Sequence, residues 1–194
     1  MRFAVFFSQR QEGLTLLELL VVVAIIAIIG FFGFPAMDGW QTQRKLASYF
    51  EELGGFIRIM KSEAEARSTT VRVTLVPTGN EWTVSAFYFD IGGGAAPPAN
   101  DCLAGAWIAY PDNVNPRTVV IPVAQAALIG PNRLCFHRDS SSSGNPNATP
   151  YTYIIRSPAG SPNDIRYRLQ INQPTSFMTR AKWSTQAGNV YIDM

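Results

Sequence analysis

The chain has 194 residues, a formal net charge of +2, and only 15% charged residues. That length suits one domain with an appendage, and the small net charge excludes a strongly basic nucleic-acid coat or an acidic disordered tail. One histidine excludes a multi-histidine metal site, and two cysteines exclude an all-cysteine zinc cage.

Residues 1–13 form a short leader containing Arg2, Arg10 and Glu12, and it ends in Gly13. Leu14 to Phe34 then reads LTLLELLVVVAIIAIIGFFGF, with Glu18 as its one charge. A helix over this run covers about 30 Å, the thickness of a bilayer core. It is apolar all round, unlike an amphipathic surface helix. It is also longer than the apolar region of a secretory signal, and no small-residue cleavage site follows it. The run is therefore expected to span a membrane. The flanking charges place the N-terminus in the cytoplasm by a narrow margin, which leaves the body beyond residue 70 outside.

An ionisable side chain within a span is costly and functional by default. Glu18 is such a residue, unless its place near the start of the run leaves it among the headgroups. Gly30, Gly33 and Pro35 weaken the helix locally, although both residue types are common in membrane helices.

Gly13-Leu14-Thr15-Leu16-Leu17-Glu18-Leu19-Leu20 resembles the class III signal of type IV pilins and pseudopilins. The resemblance implies that prepilin peptidase cuts between Gly13 and Leu14 and that Leu14 is then N-methylated. It implies that Glu18 pairs with the N-terminal amine of a neighbouring subunit during assembly. Leu14 departs from the phenylalanine usual at that position but keeps its apolar character. Pro35 matches a proline common in the family, and with Gly30 and Gly33 it marks where the helix bends or melts in a filament. The implied protein is a structural subunit and not an enzyme. It needs no cofactor or metal, starts in the inner membrane, and ends in a pilus or periplasmic pseudopilus. Its implied partners are other pilin subunits, prepilin peptidase, the inner-membrane assembly platform and, before assembly, membrane lipid.

Residues 36–70 read as a continuation of the helix. Leu46, Phe50, Leu53, Ile57, Met60 and Ala64 recur at helical spacing and form one apolar stripe. The stripe is expected to pack on a sheet, with a binding role as the alternative. Gly54-Gly55 interrupts it, so either the helix bends there or something packs closely against it. Within Ile57–Leu75, Lys61-Ser62-Glu63-Ala64 and Val71-Arg72-Val73 resemble the GspH/FimT branch of the pseudopilins.

From Val71 the apolar period changes to two. VRVTLVP, EWTVSAFYF, RTVVIPV, YTYIIR, DIRYRLQI and NVYIDM read as strands. Thr78-Gly79-Asn80 reads as a hairpin turn between the first two. The expected fold is α+β, a long N-terminal helix packed on a C-terminal antiparallel β-domain. Its parts are leader 1–13, membrane and assembly helix 14–35, amphipathic helix 36–70 and exported β-domain 71–194. Gly92–Pro98 and Ser140–Pro150 read as loose insertions by composition.

Cys102 and Cys135 both fall in the expected exported body, where an oxidising compartment favours a disulfide over two buried thiols. His137 reads as a surface or capping residue; a Cys135–His137 nucleophile pair lacks an orienting third group. Asp90, Asp101 and Asp112 bracket loops without calcium-ligand spacing, and Asn147-Ala148-Thr149 is a sequon by pattern only.

Some FimT-like minor pilins capture DNA in natural transformation, and this is the functional alternative. Residues 131–194 hold seven basic against three acidic residues. Arg166, Arg168, Arg180 and Lys182 are the candidate phosphate contacts. Against that alternative, Gly188-Asn189-Val190-Tyr191 stands where the DNA-binding relatives carry Gly-Arg-x-Arg.

Overall fold

A computed structural model describes residues 15–89, 102, 107–109, 118–145, 150–158, 164–173, 175–185 and 187–194. The side chains of 30–38 also lie outside the described set. The chain divides into two compact units, Met1–Trp40 and Gln41–Met194.

Helix α1 covers Leu16–Ala66 and runs unbroken through Gly30, Gly33 and Pro35. In the first unit the large apolar side chains from Leu16 to Ile29 are all exposed, Leu16 at 79%. Among the described residues no helix is long and apolar enough to cross a membrane. The expected span Leu14–Phe34 lies only partly among those residues, because Leu14 and the side chains from Gly30 onward fall outside them.

In the second unit the helical period and the strand period meet in one core. All six residues of the stripe, Leu46, Phe50, Leu53, Ile57, Met60 and Ala64, are buried. They pack with inward residues of two antiparallel sheets. The strands are β1 (Val71–Thr78), β2 (Glu81–Phe89), β3 (Trp107–Ala109), β4 (Thr118–Pro122), β5 (Ala127–Ile129) and β6 (Arg133–Phe136). They continue with β7 (Ser142–Asn145), β8 (Tyr151–Arg156), β9 (Arg166–Ile171), β10 (Met178–Ser184) and β11 (Val190–Asp193). One sheet runs β3-β2-β1-β6-β7, with β4 also pairing β2; the other runs β11-β10-β9-β8-β5.

Register follows from alternation, since a one-residue slip would turn every apolar side chain outward. In the first sheet Val73 lies opposite Ala86 and Leu134, and Leu75 opposite Val84. In the second, Tyr153 lies opposite Leu169 and Ile155 opposite Tyr167. Phe50 stacks on Tyr167 with ring centroids 5.2 Å apart, which ties the helix stripe to β9. The β1–β2 hairpin closes through Gly79 and Asn80. Only Gly79 of the two has positive φ, 60°, the pattern of a type II′ turn, whose first position favours glycine.

Two expectations need correction. Ser140–Pro150 is not uniformly loose: Ser142–Asn145 is strand β7, paired with β6. Its small residues are what that edge requires. A Cβ on Gly144 would lie 2.6 Å from the Tyr151 ring, and the Ser142 backbone N–H donates to the carbonyl of Gln173 after β9. Small polar residues look like a linker by composition, yet here they allow the edge of one sheet to abut the other.

The second correction is His137, which is 5% exposed and so is not a surface residue. Its Nδ1 lies 3.2 Å from Thr70 Oγ1, and its Nε2 lies 2.9 Å from Ser143 Oγ. Both ring nitrogens are satisfied, which makes this burial tolerable.

Candidate functional site

Thr15 caps helix α1. Its Oγ1 accepts a hydrogen bond from the Glu18 backbone N–H at 3.3 Å. With Leu16 as the first helical residue, Glu18 stands at the third position, so Thr15-Leu16-Leu17-Glu18 has capping-box spacing. The Thr15 half of that box is formed. A carboxylate in the first turn also meets the positive end of the helix dipole, worth about 0.3–1 kcal/mol. The T-x-x-E spacing is visible in the sequence; the membrane reading of Glu18 obscures it. Glu18 is exposed and has no ion pair among the described residues. Among the described residues it is thus a free carboxylate at the head of an exposed apolar helix. Gly13 and Leu14 lie outside the described residues.

The four basic candidates of the C-terminal region do not form one patch. Arg166 and Arg168 alternate with buried Tyr167 and Leu169 on β9 and share the outer face of their sheet. Arg180 and Lys182 lie opposite Leu169 and Tyr167 in the β9–β10 register, which puts them on the helix side. Arg180 reaches α1 and donates from Nη1 to Glu51 Oε2 at 2.7 Å. It also fills the space beside Gly54, where an added Cβ would meet its Nη2 at 2.7 Å. The Gly54-Gly55 interruption therefore marks a close approach and not a break in α1.

On the outer face, Arg166 donates from Nε to Asp164 Oδ1 at 2.8 Å, and a second bond joins Nη2 to Oδ2. That pairing holds the Asp164 carboxyl below its ordinary range and raises the Arg166 guanidinium. Arg166 also lies 4.8 Å over the Trp183 ring, and Arg168 lies 4.2 Å over Tyr191. The face is thus a pair of arginine–aromatic stacks with one arginine already neutralised. Lys182 has no ion pair among the described residues.

Cys102 and Cys135 form a disulfide, with Cα atoms 5.6 Å apart. Cys135 is therefore no nucleophile. Among the described residues no group of His, Cys, Asp and Glu side chains is arranged to hold a metal. Asp90, Asp101, Asp112, most of Gly92–Pro98 and the Asn147-Ala148-Thr149 sequon fall outside the described residues.

The prokaryotic N-terminal methylation motif matches the chain over residues 8–33. No curated protein and no solved structure matches it.

Proposed function

The chain carries the N-terminal signature of type IV pilins and pseudopilins, and from this premise we propose that it is a minor pilin or pseudopilin of the GspH/FimT type. Prepilin peptidase cleaves between Gly13 and Leu14, and Leu14 is N-methylated. The apolar start of α1 holds the precursor in the inner membrane with the β-domain outside, then packs among the helices of other subunits in a pilus or pseudopilus. The assembly platform drives that transfer. The protein performs no catalytic step and needs no cofactor.

One observation carries this reading: the matched motif runs into an apolar helix whose described side chains from Leu16 to Ile29 are exposed, headed by Glu18, which has no ion pair among the described residues. A carboxylate drawn into an apolar bundle needs a cationic partner, and cleavage creates one, the new amine of the next subunit. Glu18→Ala and Glu18→Gln chains, expressed in place of the native one, are expected to be cleaved normally but to be absent from sheared filaments. Normal incorporation of both variants would refute the role of Glu18.

DNA capture is a second reading, supported by the Arg166–Trp183 and Arg168–Tyr191 stacks on one sheet face. It predicts duplex retardation that falls steeply with salt and is lost in the Arg166→Ala/Arg168→Ala variant. No retardation at low salt would end it. Arg180 is not expected to contribute, because it is engaged with Glu51 on the other face.

A further inference from the structure

The outer face of the other sheet holds a positive charge that no described residue neutralises. Arg72 on β1 points away from the core between inward-facing Val71 and Val73. Arg133 on β6 lies opposite Thr74, which places it diagonally beside Arg72 on the same face, within reach of two long side chains. Neither arginine has an ion pair among the described residues. The neighbouring outward residues of β2, Thr83, Ser85 and Phe87, offer no acid.

The Arg72 guanidinium is held in place by aromatic rings. It lies 4.3 Å from the Trp107 ring centroid and 5.2 Å from that of Phe87. Its Nε is buried and has no hydrogen-bond partner among the described residues. Burial first, and Arg133 second, push its pKa below the ordinary arginine value. A buried donor without an acceptor and two adjacent like charges each oppose folding. An anion seated against the two guanidinium groups relieves the repulsion between them.

There is room for one. Arg72 and Arg133 line a depression of about 520 Å³ with Thr74, Asn132 and an apolar wall of Leu75, Val76, Pro77 and Phe87. That volume suits a small ligand or one side chain with its flanks. Two guanidinium forks match the two oxygens of a carboxylate. The apolar wall favours a carboxylate on a hydrocarbon group over a fully hydrated phosphate. The Arg72 guanidinium already lies against two rings, which reduces the ordering needed on binding.

We propose that the depression between Arg72 and Arg133 is a binding site for a carboxylate borne on an apolar group. This site is separate from the N-terminal assembly helix and from the Arg166–Arg168 face.

The test uses the full chain in detergent micelles with ¹⁵N-labelled arginine. The Arg72 Nε–H resonance is identified by its loss in Arg72→Lys. Three probes are titrated: 4-methylpentanoate, its uncharged amide and inorganic phosphate. The carboxylate is expected to shift the Arg72 resonance saturably, while the amide does not and phosphate binds more weakly. Arg133→Gln should weaken the carboxylate by about tenfold, the effect of losing one charge-assisted pair. Arg133→Lys, which keeps the charge, should retain most of the binding. The proposal is overturned if nothing saturates by about 100 mM carboxylate. It is equally overturned if the amide or phosphate binds as well as the carboxylate, or if Arg133→Gln leaves the titration unchanged.

Discussion

Gly54 and Gly55 are adjacent in α1, yet the structure assigns them opposite surroundings. A Cβ on Gly55 would meet nothing within 4 Å, whereas one on Gly54 would lie 2.7 Å from Arg180 Nη2. Replacing glycine by alanine within a helix gains about 1 kcal/mol of backbone propensity. Gly55→Ala should gain that amount in full, raising the melting temperature by about 2–4 °C for a chain of this size. In Gly54→Ala the guanidinium must swing aside and loosen its 2.7 Å contact with Glu51. Both partners of that pair are partly exposed, so its loss costs only about 0.2–1 kcal/mol. Gly54→Ala is therefore expected to lie between neutral and slightly stabilising, and always below Gly55→Ala. The assay is thermal unfolding of the full chain in micelles, followed by circular dichroism, with both substitutions repeated in an Arg180→Gln background. There the two alanines should become equivalent, which isolates the contact as a coupling energy. If Gly54→Ala matches or exceeds Gly55→Ala in the native background, or if their gap persists without Arg180, the placement of β10 against α1 is wrong.

Other consequences follow from buried groups. Burial pushes the His137 pKa below its ordinary value, opposed in part by Asp139. The unfolded chain therefore takes up that proton first, so stability should fall as pH drops from about 6.5 toward 5, and a His137→Gln variant should lack that slope. Reducing the Cys102–Cys135 bond, with a sequence separation of 33, should cost about 4 kcal/mol in the chain-entropy model. Denaturant unfolding with and without reductant measures it, and a loss below about 1 kcal/mol would contradict that estimate. A Cβ on Gly130 would lie 2.2 Å from the Tyr153 ring. Gly130→Ala should therefore destabilise by about 1–3 kcal/mol through overpacking, read by the same unfolding curve.

What was legible in the sequence depended on local period. The stripe from Leu46 to Ala64 announces its buried face because one helix carries all of it. The alternation in β1, β2, β8 and β9 likewise identifies both strand and inner face. Strands β5 and β6 are too short for a period to register, and they exist because β8 and β1 hold them. Strand β7 reads as linker because its serines and glycine find their reasons outside the run itself, in Gln173, His137 and Tyr151. His137 is buried for the same cause, since its partner Thr70 is 67 positions away.

The basic candidates show how register decides what composition cannot. Arg168 lies in a run that reads as a strand and Arg180 does not, yet β10 forms, and the β9–β10 pairing sets Arg180 opposite Leu169 and so sends it to the helix side. The Arg72–Arg133 pair was invisible for the reverse reason. Each looks like an ordinary surface charge until the β1–β6 pairing places them together.

The N-terminal signal was the most legible part of all, because its chemistry lies in consecutive residues. It also carries the central claim, and intact mass with N-terminal sequencing of the protein from its native membranes tests that claim most directly. The account predicts a mature chain beginning at N-methylated Leu14 and lacking the two hydrogens lost at the Cys102–Cys135 bond. A chain that keeps Met1–Gly13 would contradict it, because without cleavage there is no new amine for Glu18 to meet.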